Sequence, residues 1–243
     1  MVQIQLIERP KELTDEKIEQ FVNTFKNNPK GDVWNKPYIK NALLAMFNEK
    51  CCYCEVKVND EGFSPIEHFF SKTLYPNEVV TWGNLLLSCT RCNTFKGSFD
   101  TKTNPFIHPI FDNPKEHLAF NAFRFIKKTE AGKNSIKVLR LNEDNRQKKR
   151  FELQISIAER LKNILIHFFL HQKNQNIDGL NICKKELIVI LLTALPTQKF
   201  SAITAHFILN DGSYQLLKEH FQIEKIWNNR LDNLEKQVEN IVL

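Results

Sequence analysis

Hydrophobic residues near the start of the chain recur with the period of a helix, and each repeat begins with a residue that favours a helix start. Thr14 precedes the first repeat and can cap it, and Pro37 opens the second. The positions predicted for the inner face of the first helix are Ile18, Phe21, Val22 and Phe25. Those of the second are Ile39, Leu43 and Phe47. Two helices are therefore expected before residue 50, forming either a lid or a docking surface for substrate.

The second half of the chain shows longer helical periodicity. Asn142, with acidic residues after it, predicts a helix start. The positions predicted for the inner face of that helix are Phe151, Ile155, Ala158, Leu165 and Phe168. An apolar run at 187–195 ends at Pro196, so it predicts a buried helix that is too short to span a bilayer.

The last helix places hydrophobic residues at alternating four- and three-residue steps, the pattern of a packing seam. The seam residues are Trp227, Leu231, Leu234, Val238 and Ile241. Two interpretations remain open from the residues alone. The seam packs within this chain, or it receives a helix of a partner protein, with Trp227 as the anchor.

The region between these helical parts is rich in cysteine, proline and turn residues. Tyr53, Val56 and Val58 predict a strand, 59–62 a turn, and the next strand carries Glu67 and His68. Residues 71–80 suit a loop. Short β-like runs at 120–138, with a turn around Gly132, are expected to extend the same sheet.

Composition is that of an ordinary globular chain. The sequence has 243 residues, 42% hydrophobic and 26% charged, enough for a sizeable core in one or two domains. We expect a division into 1–140 and 141–243. A net charge of +6 is compatible with a polyanionic partner but too small to establish one. With no apolar leader at the start, we expect a cytoplasmic protein without membrane association.

Two Cys-x-x-Cys pairs, Cys51 with Cys54 and Cys89 with Cys92, predict a tetrahedral structural zinc site. The separation between the pairs exceeds that of a zinc ribbon, which indicates an inserted functional element. Cys52 also stands near Cys54, but the two-residue spacing favours Cys51. The alternative, two redox or disulfide pairs, is disfavoured because cytosolic thiols stay reduced.

The inserted element carries residues suited to phosphodiester hydrolysis. Glu67 and His68 are adjacent, and Asn84 and Asn93 follow. Histidine titrates near neutrality and can take a proton from water. A carboxylate and an amide oxygen are ligands that Mg²⁺ accepts. The alternative for His68 alone is a structural histidine, which its placement among these residues disfavours.

The string IEHFFSK…WGNLLLSCTRCNTFKG resembles the HNH (ββα-metal) endonuclease family. The resemblance implies an α+β fold with a zinc-stabilised core of two strands and a helix, preceded by helices and followed by a mostly α-helical half. It implies that His68 is the general base, that Glu67 and Asn93 hold a catalytic Mg²⁺ or Mn²⁺, and that Asn84 orients His68 or fixes the loop. Lys96 and Arg91 would bind substrate.

The chain departs from that family's pattern at two positions. Many members have aspartate where Glu67 stands and histidine where Asn93 stands, although both residues here still offer an oxygen to a metal. The substrate implied is nucleic acid, with DNA favoured and RNA as the alternative. A different class of function, a non-catalytic zinc module that binds nucleic acid, is disfavoured because it needs none of the four polar residues.

A wider similarity covers most of the chain but is sharp only at 51–97. The order of CxYCE, IEHF, LLLSCxxCNxxKG and LRLN is similar to the HNH effectors of Septu-type anti-phage systems, which also occur in some retron systems. Those effectors work beside an ABC-like ATPase, PtuA. The resemblance implies that the helical half is where such an ATPase docks.

Overall fold

The structure, a computed structural model, describes residues 1–58 and 65–242, and the turn predicted at 59–62 lies outside them. Helical turns of the 3-10 type occur at Pro76–Glu78 and Trp82–Asn84. In chain order the other elements up to residue 140 are α1 (Asp15–Asn27), α2 (Pro37–Met46), β1 (Ile66–His68), β2 (Leu85–Leu87), α3 (Thr90–Lys96), α4 (Pro114–His117), β3 (Leu118–Asn121), β4 (Arg124–Lys127) and α5 (Glu130–Val138).

Helices dominate the rest of the chain. They are α6 (Asp144–Lys173), α7 (Ile177–Leu192), α8 (Ser201–Leu209), α9 (Gly212–Ile223) and α10 (Asn229–Ile241). The chain divides into two units: the first comprises Met1–Ala119 and Phe125–Asn142, and the second comprises Phe120–Arg124 and the residues from Glu143 onward. Among the described residues, no helix has both the length and the apolar character needed to cross a bilayer.

The two N-terminal helices form as predicted. The Thr14 hydroxyl accepts a hydrogen bond from the Lys17 backbone N–H at 3.4 Å, and Pro37 occupies the first turn of α2. Phe25 of α1 is buried in a cluster with Val33, Val79 and Val80. The other predicted inner residues of α1 that pack on this cluster are Ile18, Phe21 and Val22. Those predicted for the second helix are also buried: Ile39 and Leu43 in α2, and Phe47 at its C-cap.

A short antiparallel hairpin leads directly into a helix. In this pair Glu67 of β1 lies opposite Leu86 of β2, and every residue of both strands is buried. The helix α3 starts three residues after β2, so the chain has a strand–strand–helix unit. The strand predicted at 53–58 is wrong, because this segment turns around the cysteines and its described part has only an isolated bridge between Lys50 and Lys57.

The β extension predicted at 120–138 is only partly correct. β3 and β4 form a sheet of their own and do not extend the β1–β2 pair. Gly132 lies inside α5 rather than in a turn. A Cβ added to Gly132 would lie 2.1 Å from the carbonyl oxygen of His117. Glycine is therefore required here for close packing with the His117 backbone. In the sequence, a glycine with this role looks the same as a glycine in a turn.

The predicted inner face of α6 is also wrong in part. Phe151 and Ile155 are 46% and 41% exposed. The buried residues of this helix are Arg150, Ile157, Leu161, Ile164 and Phe168. Arg150 is drawn inward because its guanidinium donates to the Phe123 carbonyl at 2.5 Å. The predicted helix start at Asn142 is also displaced, because α6 starts at Asp144 with Glu143 as its N-cap. The side-chain amide of Asn142 hydrogen-bonds with the backbone of Phe125.

The seam on α10 packs inside the second unit. Leu231 and Val238 are fully buried, and α10 lies against α7 and α8. Trp227 precedes the helix, whose cap is Asn228, and its indole N–H donates to Asp232 at 2.6 Å. The interpretation that the seam packs within this chain is therefore the correct one of the two. A partner would have to use another surface.

Replacing Val238 with aspartate is expected to unfold the helical unit. A charge buried without a partner costs about 3–5 kcal/mol, a large part of a domain's stability. Asn233→Asp adds the same charge at an exposed position of α10 and is the matched control. Circular dichroism should show lost helicity and an earlier thermal transition for the first variant only. Equal stability of the two variants would mean that the seam is not core.

Candidate active site and zinc centre

Four cysteine sulfurs converge at one point of the first unit. The Sγ atoms of Cys51, Cys54, Cys89 and Cys92 all lie within 4.8 Å of one another, and those of Cys54 and Cys89 are 3.7 Å apart. Tetrahedral zinc with Zn–S bonds of about 2.3 Å places its sulfurs about 3.8 Å apart. The donor set and its spacing fit a structural zinc ion, as the sequence predicts.

Backbone hydrogen bonds shape both cysteine pairs. In the first, the Glu55 N–H donates to the Cys51 carbonyl at 3.0 Å, and Glu55 adopts the left-handed region at φ 61°. In the second, Cys89 is the N-cap of α3, and its sulfur accepts from the Cys92 N–H at 3.5 Å. Each turn thus directs two sulfurs to the same side.

The environment of these thiols favours a cation among them. Burial raises the pKa of Cys51, and hydrogen bonds with Cys51 and Cys54 raise the pKa values of Cys89 and Cys92. Several thiolates cannot coexist in so small a buried space without a compensating positive charge. A zinc ion held by these four cysteines would provide that charge, and its binding would release the thiol protons.

Cys52 lies outside this set. Its backbone N–H donates to the Leu87 carbonyl at 2.9 Å, next to the hairpin, and its side chain is buried. Burial also raises the pKa of its thiol. The preference for Cys51 over Cys52, made on spacing alone, agrees with the grouping of the sulfurs.

His68 ends β1 and is only 5% exposed. Its Nε2 lies 2.9 Å from the Val79 carbonyl oxygen, and because a carbonyl only accepts, Nε2 carries the proton. Burial lowers the pKa of His68 to about 3, and the charge of Lys72 acts in the same direction. The imidazole is therefore neutral at neutral pH, and Nδ1 is its proton acceptor.

Glu67 is buried in an ion pair. Its Oε1 lies 2.7 Å from Nζ of Lys96 and 3.4 Å from the hydroxyl of Tyr53. Burial raises the pKa of Glu67, while Lys96 acts in the opposite direction. Lys96 also donates to the His68 carbonyl at 2.8 Å and is 2% exposed. This placement makes Lys96 an internal partner of the β1 residues, whereas the sequence suggested a contact with substrate phosphate.

Asn84 fixes the loop between the two strands. Its Oδ1 accepts from the Phe70 N–H at 2.6 Å, and its Nδ2 donates to the carbonyls of Phe70 and Glu78 at 3.2 and 2.8 Å. Glu78 precedes Val79, the acceptor for His68. Of the two roles considered for Asn84, these contacts correspond to fixing the loop.

A cavity of about 580 Å³ opens beside β1 and α3. Glu67, His68 and Asn93 all line it. Asn84 and Arg91 are not among its described lining residues, and the Arg91 guanidinium lies 5.5 Å from the ring centroid of Phe95. The structure thus brings together three of the predicted residues and separates two from them.

Several cavity residues escaped sequence reasoning. Trp34, from the segment between α1 and α2, lies edge-on to His68 with ring centroids 4.7 Å apart. Lys72 follows β1, and Nζ of this residue lies 4.5 Å from the centroid of the Trp34 ring. Lys72 stands inside the quoted IEHFFSK string, but no spacing rule distinguishes it from other lysines. Trp34 gave no sequence signal, since it reaches the cavity only through the packing of α1.

Known proteins similar to this chain were found by sequence. The Septu protein PtuB of Bacillus thuringiensis is 36% identical over 217 residues, covering 87% of this chain and 84% of that protein. The Septu protein PtuB of Bacillus mycoides (strain KBAB4) is 31% identical over 179 residues, covering 60% of this chain and 57% of that protein. No family model matches the sequence.

Proposed function

The chain belongs to the family of the Septu protein PtuB, and from this premise we propose that it is a metal-dependent endonuclease of an anti-phage defence system. One observation carries the proposal. A neutral histidine, His68, lines a cavity with a carboxylate and an amide, and its Nε2–H is held by the Val79 carbonyl. The arrangement suits hydrolysis of a phosphodiester bond.

His68 acts as the general base in this proposal. Donation from Nε2 to Val79 fixes the tautomer, which leaves the Nδ1 lone pair to accept a proton from the attacking water. Burial lowers the pKa of His68 and keeps the imidazole in the neutral form that can accept a proton, while the same shift makes it a weaker base. The edge-on contact with Trp34 restricts rotation of the ring. The tautomer and the orientation of the ring are thus set before substrate arrives.

Glu67 and Asn93 are the residues that would hold a divalent cation. Both line the cavity, and together they supply a carboxylate and an amide oxygen, which are hard donors suited to Mg²⁺ or Mn²⁺. Lys96 is already paired with Oε1 of Glu67, so a metal would share this carboxylate with the ammonium. When bound, such a cation stabilises negative charge on the phosphate.

Asn84 acts as a positioning residue for the base. Its amide binds the carbonyls of Phe70 and Glu78, and Val79, the residue after Glu78, provides the carbonyl that accepts from His68. Val79 also packs with Phe25 of α1 in the hydrophobic cluster. Helix α1 therefore supports the residue that orients the base, a more specific role than a lid.

DNA is the favoured substrate, RNA is the alternative, and an ABC-like ATPase, PtuA, is the proposed partner. In the second unit the α10 seam is occupied by the chain's own core. Large hydrophobic side chains nevertheless remain 40–72% exposed on its helices α6 and α7. They are Phe151, Ile155, Ile166, Phe169, Leu170, Ile177, Ile182 and Val189. We propose that the ATPase docks on this helical unit.

The function is tested by incubating the purified full chain with plasmid DNA and with total RNA, in Mg²⁺ or Mn²⁺, with and without the ATPase. We expect DNA cleavage that requires the divalent ion and stops when it is chelated. Cleavage of RNA alone would redirect the substrate assignment. Binding of nucleic acid without cleavage under every condition would instead support the non-catalytic zinc module.

A further inference from the structure

The cavity beside His68 is lined by Lys72, a residue that the proposed mechanism does not use. Lys72 lies in a tight turn just after β1, where the N–H groups of Leu74 and Tyr75 both donate to the Ser71 carbonyl, at 3.0 and 2.8 Å. Its side chain is half-buried and lines the cavity. The backbone of this turn gives Lys72 a defined position.

The indole of Trp34 holds the ammonium of Lys72 at the cavity wall. Nζ of Lys72 lies 4.5 Å from the centroid of this ring, and the centroid of the His68 ring lies 4.7 Å from it on an edge-on approach. Both side chains therefore contact one aromatic ring. A cation over an aromatic face keeps its charge while its position is restricted.

Other lysines near the site are less suited to bind an anion there. Lys96 is buried with its ammonium on Glu67 and on the His68 carbonyl. Lys40 also lines the cavity, but Lys72 is the lysine whose ammonium lies on Trp34, the ring that contacts His68. A positive charge facing a cavity beside a proton acceptor is suited to bind phosphate.

We propose that Lys72, held against Trp34, is a substrate-binding residue whose ammonium binds a phosphate of the nucleic acid beside His68. This inference rests on the proposed nuclease function and assigns to Lys72 the phosphate contact that the sequence suggested for Lys96. Trp34 acts through Lys72 and His68 as a positioning residue. The N-terminal segment thereby contributes to substrate binding.

The test measures binding of a labelled DNA duplex by the full chain over a series of KCl concentrations, in a His68→Ala background that slows cleavage by at least about 100-fold. Lys72→Met should weaken binding on the order of 10-fold. It should also reduce the slope of log affinity against log salt by about 0.9, the value for one lost phosphate contact. Lys72→Arg should retain most of the affinity because it keeps the cation.

Lys102→Met is the matched control. Nζ of Lys102 lies 4.4 Å from the Tyr75 ring centroid and 3.1 Å from the Glu78 carboxylate, and Lys102 is not among the residues described as lining the cavity. This variant should keep the affinity and salt slope of its parent. With His68 restored, Lys72→Met should raise KM with a smaller change in kcat, assayed with the ATPase if cleavage requires it.

The possible results separate this inference from the proposed function. Cleavage by the wild-type chain together with an unchanged KM and salt slope for Lys72→Met would overturn the assignment of Lys72 alone. A weakened variant that has also lost zinc or its thermal transition would show a structural role and overturn it as well. Absence of both binding and cleavage in the wild-type chain would refute the proposed function, and the role of Lys72 with it.

Discussion

Alanine in place of His68 is expected to slow nucleic-acid cleavage by roughly 10²- to 10⁴-fold, the contribution usual for a general base. The reason lies in the hydrogen bond from Nε2 to the Val79 carbonyl, which leaves Nδ1 as the proton acceptor. Alanine provides no acceptor, so the attacking water keeps its proton. Single-turnover cleavage with saturating divalent ion measures the effect on the chemical step.

His108→Ala serves as the control for the loss of a buried imidazole. His108 is as buried as His68, and burial lowers its pKa to about 4. Its Nδ1 accepts hydrogen bonds from the backbone of Ile110 and Phe111, so its loss should cost stability. The cleavage rate of the folded fraction should nevertheless remain near that of wild type. A His68→Ala variant that cut at the wild-type rate would remove His68 from the role of base.

Features determined by neighbours in the sequence were predictable. Thr14 and Pro37 mark helix starts because capping and ring geometry are local effects. The Cys-x-x-Cys spacing identified the cluster of sulfurs because two ligands on one turn need only that turn. The inner faces of α1 and α2 followed from periodicity alone, since each helix is short and has one buried side.

Features that depend on distant contacts were not predictable. Phe151 is exposed on α6 because the buried side is set by neighbours such as α7 and α8, and Arg150 is drawn inward by the Phe123 carbonyl. Gly132 is needed for the approach of the His117 backbone, so its presence did not signal a turn. In each case the environment of the residue is set by contacts with residues that are distant in the sequence.

The two lysines of the site show the same limit. Lys96 and Lys72 both follow recognisable motifs, and no spacing rule says which one is buried. The pairing of Lys96 with Glu67 at 2.7 Å forms because the last residue of α3 reaches β1, where it also binds the His68 carbonyl. Trp34 reaches the cavity from a segment far away in sequence, through the packing of α1. The sequence supported proposals about the metal ligands. The structure was needed to show that Lys72, and not Lys96, is the lysine of this pair that lines the cavity.

Removal of zinc is expected to unfold the first unit. Structural zinc contributes about 10–16 kcal/mol of apparent binding free energy in small domains, comparable with or larger than the usual stability of a domain, about 5–15 kcal/mol. Cys89 is the most sensitive position, because its sulfur belongs to the cluster and also caps α3. Cys89→Ser should therefore lose the metal, most of its solubility and all cleavage, as measured by elemental analysis, yield and activity.

Cys52→Ala separates loss of a ligand from loss of a buried thiol. Cys52 is as buried as its neighbour Cys51, but it lies outside the four-sulfur cluster. Its replacement should cost about 1 kcal/mol, in the range for removing a small buried group, and should leave one zinc per chain.

Since α6 to α10 have a core of their own, Cys89→Ser should retain much of the helical signal while losing the transition of the first unit. Well-folded wild-type protein without zinc, or loss of zinc in Cys52→Ala, would contradict this ligand set.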